Sequence, residues 1–452
     1  MKNGIRKTVV TGFCIATMTG HWIASDAQSV DSLLDKLVDK GVLSVKEAQE
    51  LREEGDKDFS KAYSAKSGMP DWVSALRFNG DFRGRYDGIF SDNPAYVDRN
   101  RWRYRLRFGA TAILSDGFEV GLRLTSSEPT GNFGGDSISG NASLTDNGSK
   151  KFVYLDLAYA RWMPLRTKEW SGSFTFGKME NPFVFPSTWM FDHDYTPEGM
   201  AGQMAYAFND RHALKLSAGG FILDELSAST SDPVWSGAQL RWNAIWTKHV
   251  STTLGLAGFF ISNEDKLVNG SVPNSNRGNT RGTNGAPMFA FNPIYVDGGI
   301  TYTLDEFPKY PGAFPITVSG DYVNNPAAPA DNQGYSAGVS FGKAGKKGTW
   351  ELAYRWEELQ ADGWFEEFPE SDFGAYYQVQ QVNAGFNSAS NPTGAGYGSG
   401  TNVRGHNLKF SYSPYDSLTL SVSGFFTELV NPSPAGSESK TTRLLVDMVL
   451  KF

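Results

Sequence analysis

The chain has 452 residues, with 42 Lys+Arg against 49 Asp+Glu for a formal net charge of −7, and is rich in glycine (49) and aromatics (12 Trp, 19 Tyr, 31 Phe). The acidic balance argues against nucleic acid as partner. A mean hydropathy of −0.37, without an apolar run of about 18 residues, excludes a helical membrane protein but not a membrane barrel, whose strands alternate apolar and polar residues.

Residues 1–27 read as a secretory signal peptide. Lys2, Arg6 and Lys7 form a positive start, Val9 to Ile23 is mostly apolar, and Ser25 and Ala27 put small residues at the cut before Gln28. The single cysteine, Cys14, lies in this segment behind Phe13, which is too large for a lipoprotein cleavage site. Cleavage removes three cations and Asp26 and takes the charge from −7 to −9, leaving an exported chain without disulfides.

Residues 28–74 form a separate stretch, expected as a periplasmic helical segment and linker. Val30, Leu33, Leu34, Leu37 and Val38 recur at helical spacing until Gly41, and Ser44 with Glu47 makes a capping box for a second helix. Such a hairpin is either a solvated spacer or a self-associating, envelope-docking element.

From residue 75 to 452 the period changes to two. Leu76, Phe78, Phe82 and Tyr86 alternate with charged or polar residues, as do Trp102 to Phe108, Phe118 to Leu124, Trp350 to Trp356 and Leu444 to Phe452. About 16 such segments are expected, near 75–88, 99–114, 117–128, 151–163, 170–180, 199–208, 211–224, 233–248, 250–262, 292–304, 313–324, 333–343, 348–360, 401–413, 416–428 and 440–452. That is roughly 24 residues per strand with its connection, which suits an even-numbered antiparallel transmembrane β-barrel. The connections add an independent signal. Even-numbered ones are short (Ser115-Asp116, Pro164 to Glu169, Asn209-Asp210, His249, Asp305 to Gly312, Ala344 to Lys347, Pro414-Tyr415), whereas odd-numbered ones include 129–150, 181–198, 263–291 and 361–400. A barrel in an outer membrane has this parity of short inner turns and long outer loops; a soluble sandwich or propeller has no reason for it.

The terminal Phe452, behind Val446, Met448 and Leu450, resembles the signal read by the outer-membrane barrel-assembly machinery. The layout is similar to the bacterial family known as putative porins, in the stretches RNRWRYRLRFGA (99–110), LDLAYARW (155–162) with FGKMENPF (176–183), and SDFG (371–374) with GHNLKFSYSPYDSLTLSVSGFFTE (405–428). The resemblance implies a sixteen-stranded barrel in a Gram-negative outer membrane, passive diffusion of small hydrophilic solutes, no cofactor, no catalysis and, by analogy with general porins, a homotrimer.

Arg99, Arg101, Arg103, Arg105 and Arg107 alternate with Trp102, Tyr104, Leu106 and Phe108, so all five arginines share the face opposite the lipid. An Arg facing mid-membrane lipid costs about 2–4 kcal/mol, which leaves the lumen as their place, with Arg83, Arg85 and Arg123 on the same wall. They are either ordinary wet surface or a basic track for solutes. In general porins the loop in the ordinal position of 181–198 folds into the bore. Here its aromatics (Phe183, Phe185, Trp189, Phe191) favour burial, and Asp192, Asp194 and Glu198 become candidate constriction acids; the other arrangement packs the loop over the mouth or a neighbour. Five to eight cations against about three loop acids give an expected mild anion preference, or recognition of anionic organic solutes, carried most by the mid-strand Arg101, Arg103 and Arg105, with Asp81, Asp156 and Glu351 as further lumen acids acting against it.

Other motifs weigh less. Asp192-His193-Asp194 lacks partners for a metal. Gly338 to Gly342 matches a nucleophile elbow but lies inside an alternating strand, and the glycines from Gly394 to Gly400 precede a strand rather than a phosphate-binding helix. Two alternatives remain. An outer-membrane barrel enzyme needs a Ser–His cluster that the five histidines do not suggest, and a secreted carbohydrate-binding β-protein needs neither a lipid belt nor Phe452.

Overall fold

A computed structural model describes residues 70–93, 97–129, 134–267, 278–282, 286–375, 400–431 and 438–452. The expected signal peptide, the 28–69 part of the helical segment and the glycines 394–399 lie outside them.

Sixteen antiparallel strands close into one barrel: β1 Val73–Ser91, β2 Arg99–Leu114, β3 Phe118–Ser126, β4 Val153–Arg166, β5 Trp170–Lys178, β6 Glu198–Asn209, β7 His212–Ile222, β8 Val234–Ile245, β9 Val250–Ser262, β10 Ile294–Leu304, β11 Phe314–Asn324, β12 Gln333–Gly342, β13 Trp350–Leu359, β14 Val403–Tyr415, β15 Leu418–Leu429 and β16 Thr441–Lys451. Each pairs with its chain neighbours and β1 pairs with β16, so no edge is left open. The expected strands match these closely. A further two-residue strand, Ala142–Ser143, extends the sheet beyond the end of short β3 by pairing with Arg103 and Tyr104 of β2.

The β1–β16 ladder that closes the barrel runs from Asp81 opposite Lys451 to Ser91 opposite Thr441, and Phe452 adds one more rung. The Phe452 and Gly80 main chains exchange hydrogen bonds (2.8 and 3.1 Å). The Phe452 ring lies over Gly80, where an added Cβ would come within 2.5 Å of it. Glycine is needed there for space.

The alternation puts Trp102, Leu106 and Phe108 on the exposed face and Arg103 and Arg105 on the buried one. Outward rings pair across strands, Phe78 on Phe108 at 6.0 Å and Tyr86 on Trp102 at 5.3 Å. At one end the connections are tight: Ser115–Gly117 turns through Asp116 and Gly117, both at positive φ. At the other end lie the long connections, including 127–152, 179–197, 263–293 and 360–402.

Two prolines expected in turns lie within strands. Pro164 of β4 and Pro414 of β14 both fall at register shifts. A bulge is where a sheet tolerates a residue with no N–H.

Candidate functional site: the lumen and its inward loops

The arginine wall begins as an electrostatic problem. The β1–β2 register places Arg83 opposite Arg105 and Arg85 opposite Arg103, and like charges directly across a ladder destabilise it. The remedy is a set of acids. From the wall itself, Asp81 takes Arg105 (2.9 Å) and Arg107 (2.6 Å), Asp87 takes Arg101 (2.7 Å) and Arg443 (2.9 Å), and Asp447 takes Arg85 (2.7 Å). Arg123 pairs with Asp156 and Glu180. Asp156 reaches the lumen because β4 bulges there, Arg123 pairing with Leu157 and Leu124 with Leu155, so that Asp156 has no opposite number. Bulges re-aim side chains in this way.

The rest of the compensation comes from two long connections folded into the bore. From 179–197, Asp194 meets Arg105 at 2.5 Å, Arg107 at 3.6 Å and Arg83 at 3.7 Å. From 360–402, Asp372 meets Arg85 and Arg443, each at 2.8 Å. Burial would raise the Asp194 carboxyl, but Arg105, Arg83 and Arg107 outweigh it and hold it down at about 2. For Asp372 burial is likewise outweighed, by Arg85 and Arg443, and its pKa is lowered.

The opposite side of the bore is dry. Phe183, Phe185, Trp189 and Phe191 of the first loop pack with Trp364, Phe365 and Phe368 of the second against Phe221, Trp235, Phe259 and Tyr295 from the barrel wall. Phe191 stacks on Phe368 at 5.0 Å and Phe183 meets Phe259 edge-on at 5.1 Å. Polar ties fix the register. The Trp189 indole donates to Asp321 on β11 at 2.9 Å, and Gln239 on β8 exchanges two hydrogen bonds of 2.8 Å with the Val184 main chain. One loop therefore touches β11 through Trp189 and β2 through Asp194, and so crosses the lumen.

The two loops also hold each other. The Asp192 N–H donates to the Phe368 carbonyl at 2.7 Å, and its carboxylate accepts from the main chains of Asp194 (2.8 Å) and Ser371 (3.1 Å). Burial, then the charge of Asp194, pushes Asp192 up to about 8. Burial, then Asp192 and Asp372, raises Glu370 well above the carboxylate range. Asn279, from the connection 263–293, donates to the carbonyls of Ala361 (2.6 Å) and Trp364 (2.8 Å), and Arg281 pairs with Glu366 with both side chains fully buried.

Two cavities flank the crossing loop beside the arginine wall. The one toward the long connections, about 520 Å³, includes Asp136, Tyr154, Asp156, Lys178, Glu198 and Glu225 in its lining. The one toward the short turns, about 570 Å³, includes Arg83, Arg85, Arg123, Lys409, Asp447 and Lys451. Arg105, Arg107 and Asp194 line both. This trio stands where the cavities adjoin.

Of the wall arginines expected from sequence, Arg83, Arg85, Arg105, Arg107 and Arg123 line these cavities. Arg101 and Arg103 instead lie against Asp87, with Arg103 also near the Asn141 carbonyl and Glu128, and Arg99 is exposed at the start of β2. Of the loop acids only Asp194 meets the wall. Asp192 is enclosed between the loops, and Glu198 is exposed at the start of β6, paired with Lys178 at 2.9 Å. Sequence reasoning missed Asp372, Asp87, Asp447 and Arg443. The last two sit on the inward phase of the final strand, a phase visible in the sequence; Asp372 lies in a stretch noted only for its family likeness. No group of three or more potential metal ligands occurs among the described residues, and Asp192 and Asp194 spend their carboxylates on separate partners. Ser340 of the elbow-like motif lies inside β12, facing the lumen. The described histidines stand apart: His212 against Trp242 and Trp246, His249 at Thr303, His406 at Tyr354, and His193 on the loop.

Residues 93–263 match the model of a family described as putative porin, so the likeness read from the sequence holds over that stretch. No curated protein matches. Among solved structures the chain resembles the high-pH structure of Pseudomonas putida OprB, with a TM-score of 0.52 at 10% identity over 83% of this chain and 94% of that one. It is also similar to Salmonella typhi OmpF in complex with daunomycin (TM-score 0.46, 11% identity, 83% and 97% covered) and to a mutant Rh. blastica porin (0.42, 10%, 84% and 100%). At such identities the first likeness speaks for the fold.

Proposed function

We propose that the chain is a porin of Gram-negative outer membranes that passes small hydrophilic solutes by passive diffusion with a mild anion preference. The observation that carries this reading is the trio Arg105, Arg107 and Asp194, shared by the cavities on the two faces of the crossing loop. Solute moving between them passes these side chains. Fields are strongest where walls are close and water is scarce, whereas charges beyond a Debye length of about 8 Å at physiological salt are screened. Asp81, bonded to both guanidinium groups, and Asp194 together balance Arg105 and Arg107, so the net positive charge comes from the short-turn side. On the short-turn side Arg83, Arg85, Arg123, Lys409 and Lys451 face Asp372, Asp447 and Glu180, while Asp192 and Glu370 are pushed toward their neutral forms. Tight pairing of most cations keeps the preference small.

In this reading residues 1–27 are the export signal, 28–74 a periplasmic segment and 75–452 the barrel, which the assembly machinery receives through Phe452 and which associates as a homotrimer. The test is reconstitution of the purified protein in planar bilayers across a salt gradient. Stepwise conductance with a reversal potential on the anion side is expected. Absence of steps would overturn the porin reading, and a cation-side potential would overturn the preference alone.

A further inference from the structure

We infer that Glu357, on the lumen side away from the arginine wall, is a station for the ammonium group of a polyhydroxylated solute in transit. The inference rests on the porin reading and adds a solute class to it. Asp321, Ser336 and Glu357 lie in one inward row, Asp321 opposite Ser336 and Ser336 opposite Glu357. The first carboxylate is saturated: Asp321 accepts from Trp189 (2.9 Å), Tyr295 (3.0 Å) and the hydroxyls of Ser187 and Ser336. Two strands along, Glu357 is 1% exposed and neither carboxylate oxygen has a hydrogen-bond donor. Arg355 Nε stands 4.0 Å away, beyond hydrogen-bond reach, and its two terminal nitrogens are committed to Ser336 (2.7 Å) and Ser319 (2.6 Å).

A buried carboxylate without donors is costly unless it is neutralised or meets a cation. The surroundings supply room for the second outcome. Glu357 lines a cavity of about 360 Å³ under the crossing loop, which it shares with Glu351, Arg355 and Lys409 and with the hydroxyls of Thr253, Thr301, Thr317, Ser319 and Ser340. That volume is at the lower end of small-molecule sites. An ammonium brings three donors to the two orphan oxygens, and hydroxyls that both donate and accept match a sugar-like frame. A divalent ion fits less well, since no group of three potential metal ligands occurs among the described residues.

The test is solute block of single-channel current between about pH 6 and 8, read where discrimination is largest, because the amine must be protonated and Glu357 ionised at once. The probes are glucosamine, N-acetylglucosamine and glucose, which share a ring and differ in the ammonium. Wild type is expected to hold glucosamine about tenfold longer than the two neutral sugars, a difference of about 1.4 kcal/mol. Glu357→Gln should erase that difference, and Glu357→Asp, keeping charge on a shorter stem, should retain part of it; heat-modifiable mobility confirms that each variant is folded. Equal block by all three sugars in wild type, or discrimination that survives Glu357→Gln, overturns the station while leaving the porin reading intact. No conductance steps at all overturns both.

Discussion

The two halves of the bore treat the same geometric position in opposite ways. Along β16, β1, β2 and β3 the inward residues include Asp447, Arg83, Arg85, Arg105 and Arg123, and they line the cavity beside the crossing loop. Along β7 to β11 they include Phe221, Trp235, Phe259, Tyr295 and Val323, each at most 5% exposed. The inward face of a barrel strand is thus mostly charged where it borders the cavities, whereas under the loop its polar groups, such as Gln239, Asp321 and the Arg241–Asp297 pair, are tied to the loop or to each other. Where a loop covers it, it becomes a core, and each large side chain buried there contributes about 1.5–3 kcal/mol toward holding the loop down. The dry half is the anchor, and the charged half is where the anchored loop presents its carboxylates, Asp194 to Arg105 and Glu180 to Arg123.

The comparison presupposes a closed barrel, and the seam runs through the charged half. Deleting Phe452, or substituting Gly80→Val so that its ring cannot lie flat, is expected to lower the yield of heat-modifiable barrel about tenfold or more, because the terminal rung of the seam is lost and its backbone groups are left unpaired. Unchanged outer-membrane yield for both would show that closure does not depend on this contact. The next largest effect tests the anchor. Trp189→Ala removes a fully buried indole and its bond to Asp321, at a cost of about 3–5 kcal/mol. Single-channel conductance should rise severalfold with added flicker as the loop leaves the bore; an unaltered conductance would mean that the aromatic half does not position the loop.

The barrel was more legible than its contents because alternation is a local signal and loop placement is not. Trp102, Leu106 and Phe108 announce their lipid face by spacing alone, and Arg105 follows by elimination. The aromatics of 181–198 also signalled burial correctly. What spacing cannot show is a partner supplied from far along the chain. Asp372 reaches Arg85 across a sequence separation of 287 residues, and nothing local to either residue encodes that meeting. Asp156 was expected among the lumen acids, but the bulge that leaves it without an opposite number is hidden for a related reason, since one extra residue alters the register without disturbing composition. Wall arginines were therefore countable in advance, whereas the acids answering them were undercounted.

That undercount bears on selectivity, where a smaller effect is expected. Arg105→Ala with Arg107→Ala removes both cations of the shared trio and leaves Asp81 and Asp194 without them, so the reversal potential should move toward cations. Arg101→Ala, whose partner Asp87 retains Arg443, should move it far less. Equal shifts from the two variants would mean that selectivity is spread over the whole wall rather than set where the cavities adjoin.

The smallest effect expected is a pH dependence that separates the two loop acids. Asp194, held at about 2, stays ionised at neutral and mildly acidic pH. Its lowered folded-state value contributes stability that is present above the unfolded value of about 3.9 and is lost only as pH falls toward 2. Asp192 has the opposite sign. A carboxyl raised to about 8 binds its proton more tightly in the folded state, so its contribution is complete below about pH 4, declines as pH rises, and is gone above 8. The ion-paired tether to the arginine wall should therefore hold on going from pH 6 to 9, while the seam between the loops at Phe368 and Ser371 weakens as Asp192 ionises beside Asp194. Conductance noise should grow over that window in wild type. Asp192→Asn keeps the shape without the titration and should flatten the dependence. Noise that grows toward acid instead, or that persists unchanged in Asp192→Asn, would place the labile contact at the arginine wall and reverse the assignment of anchor and charged face.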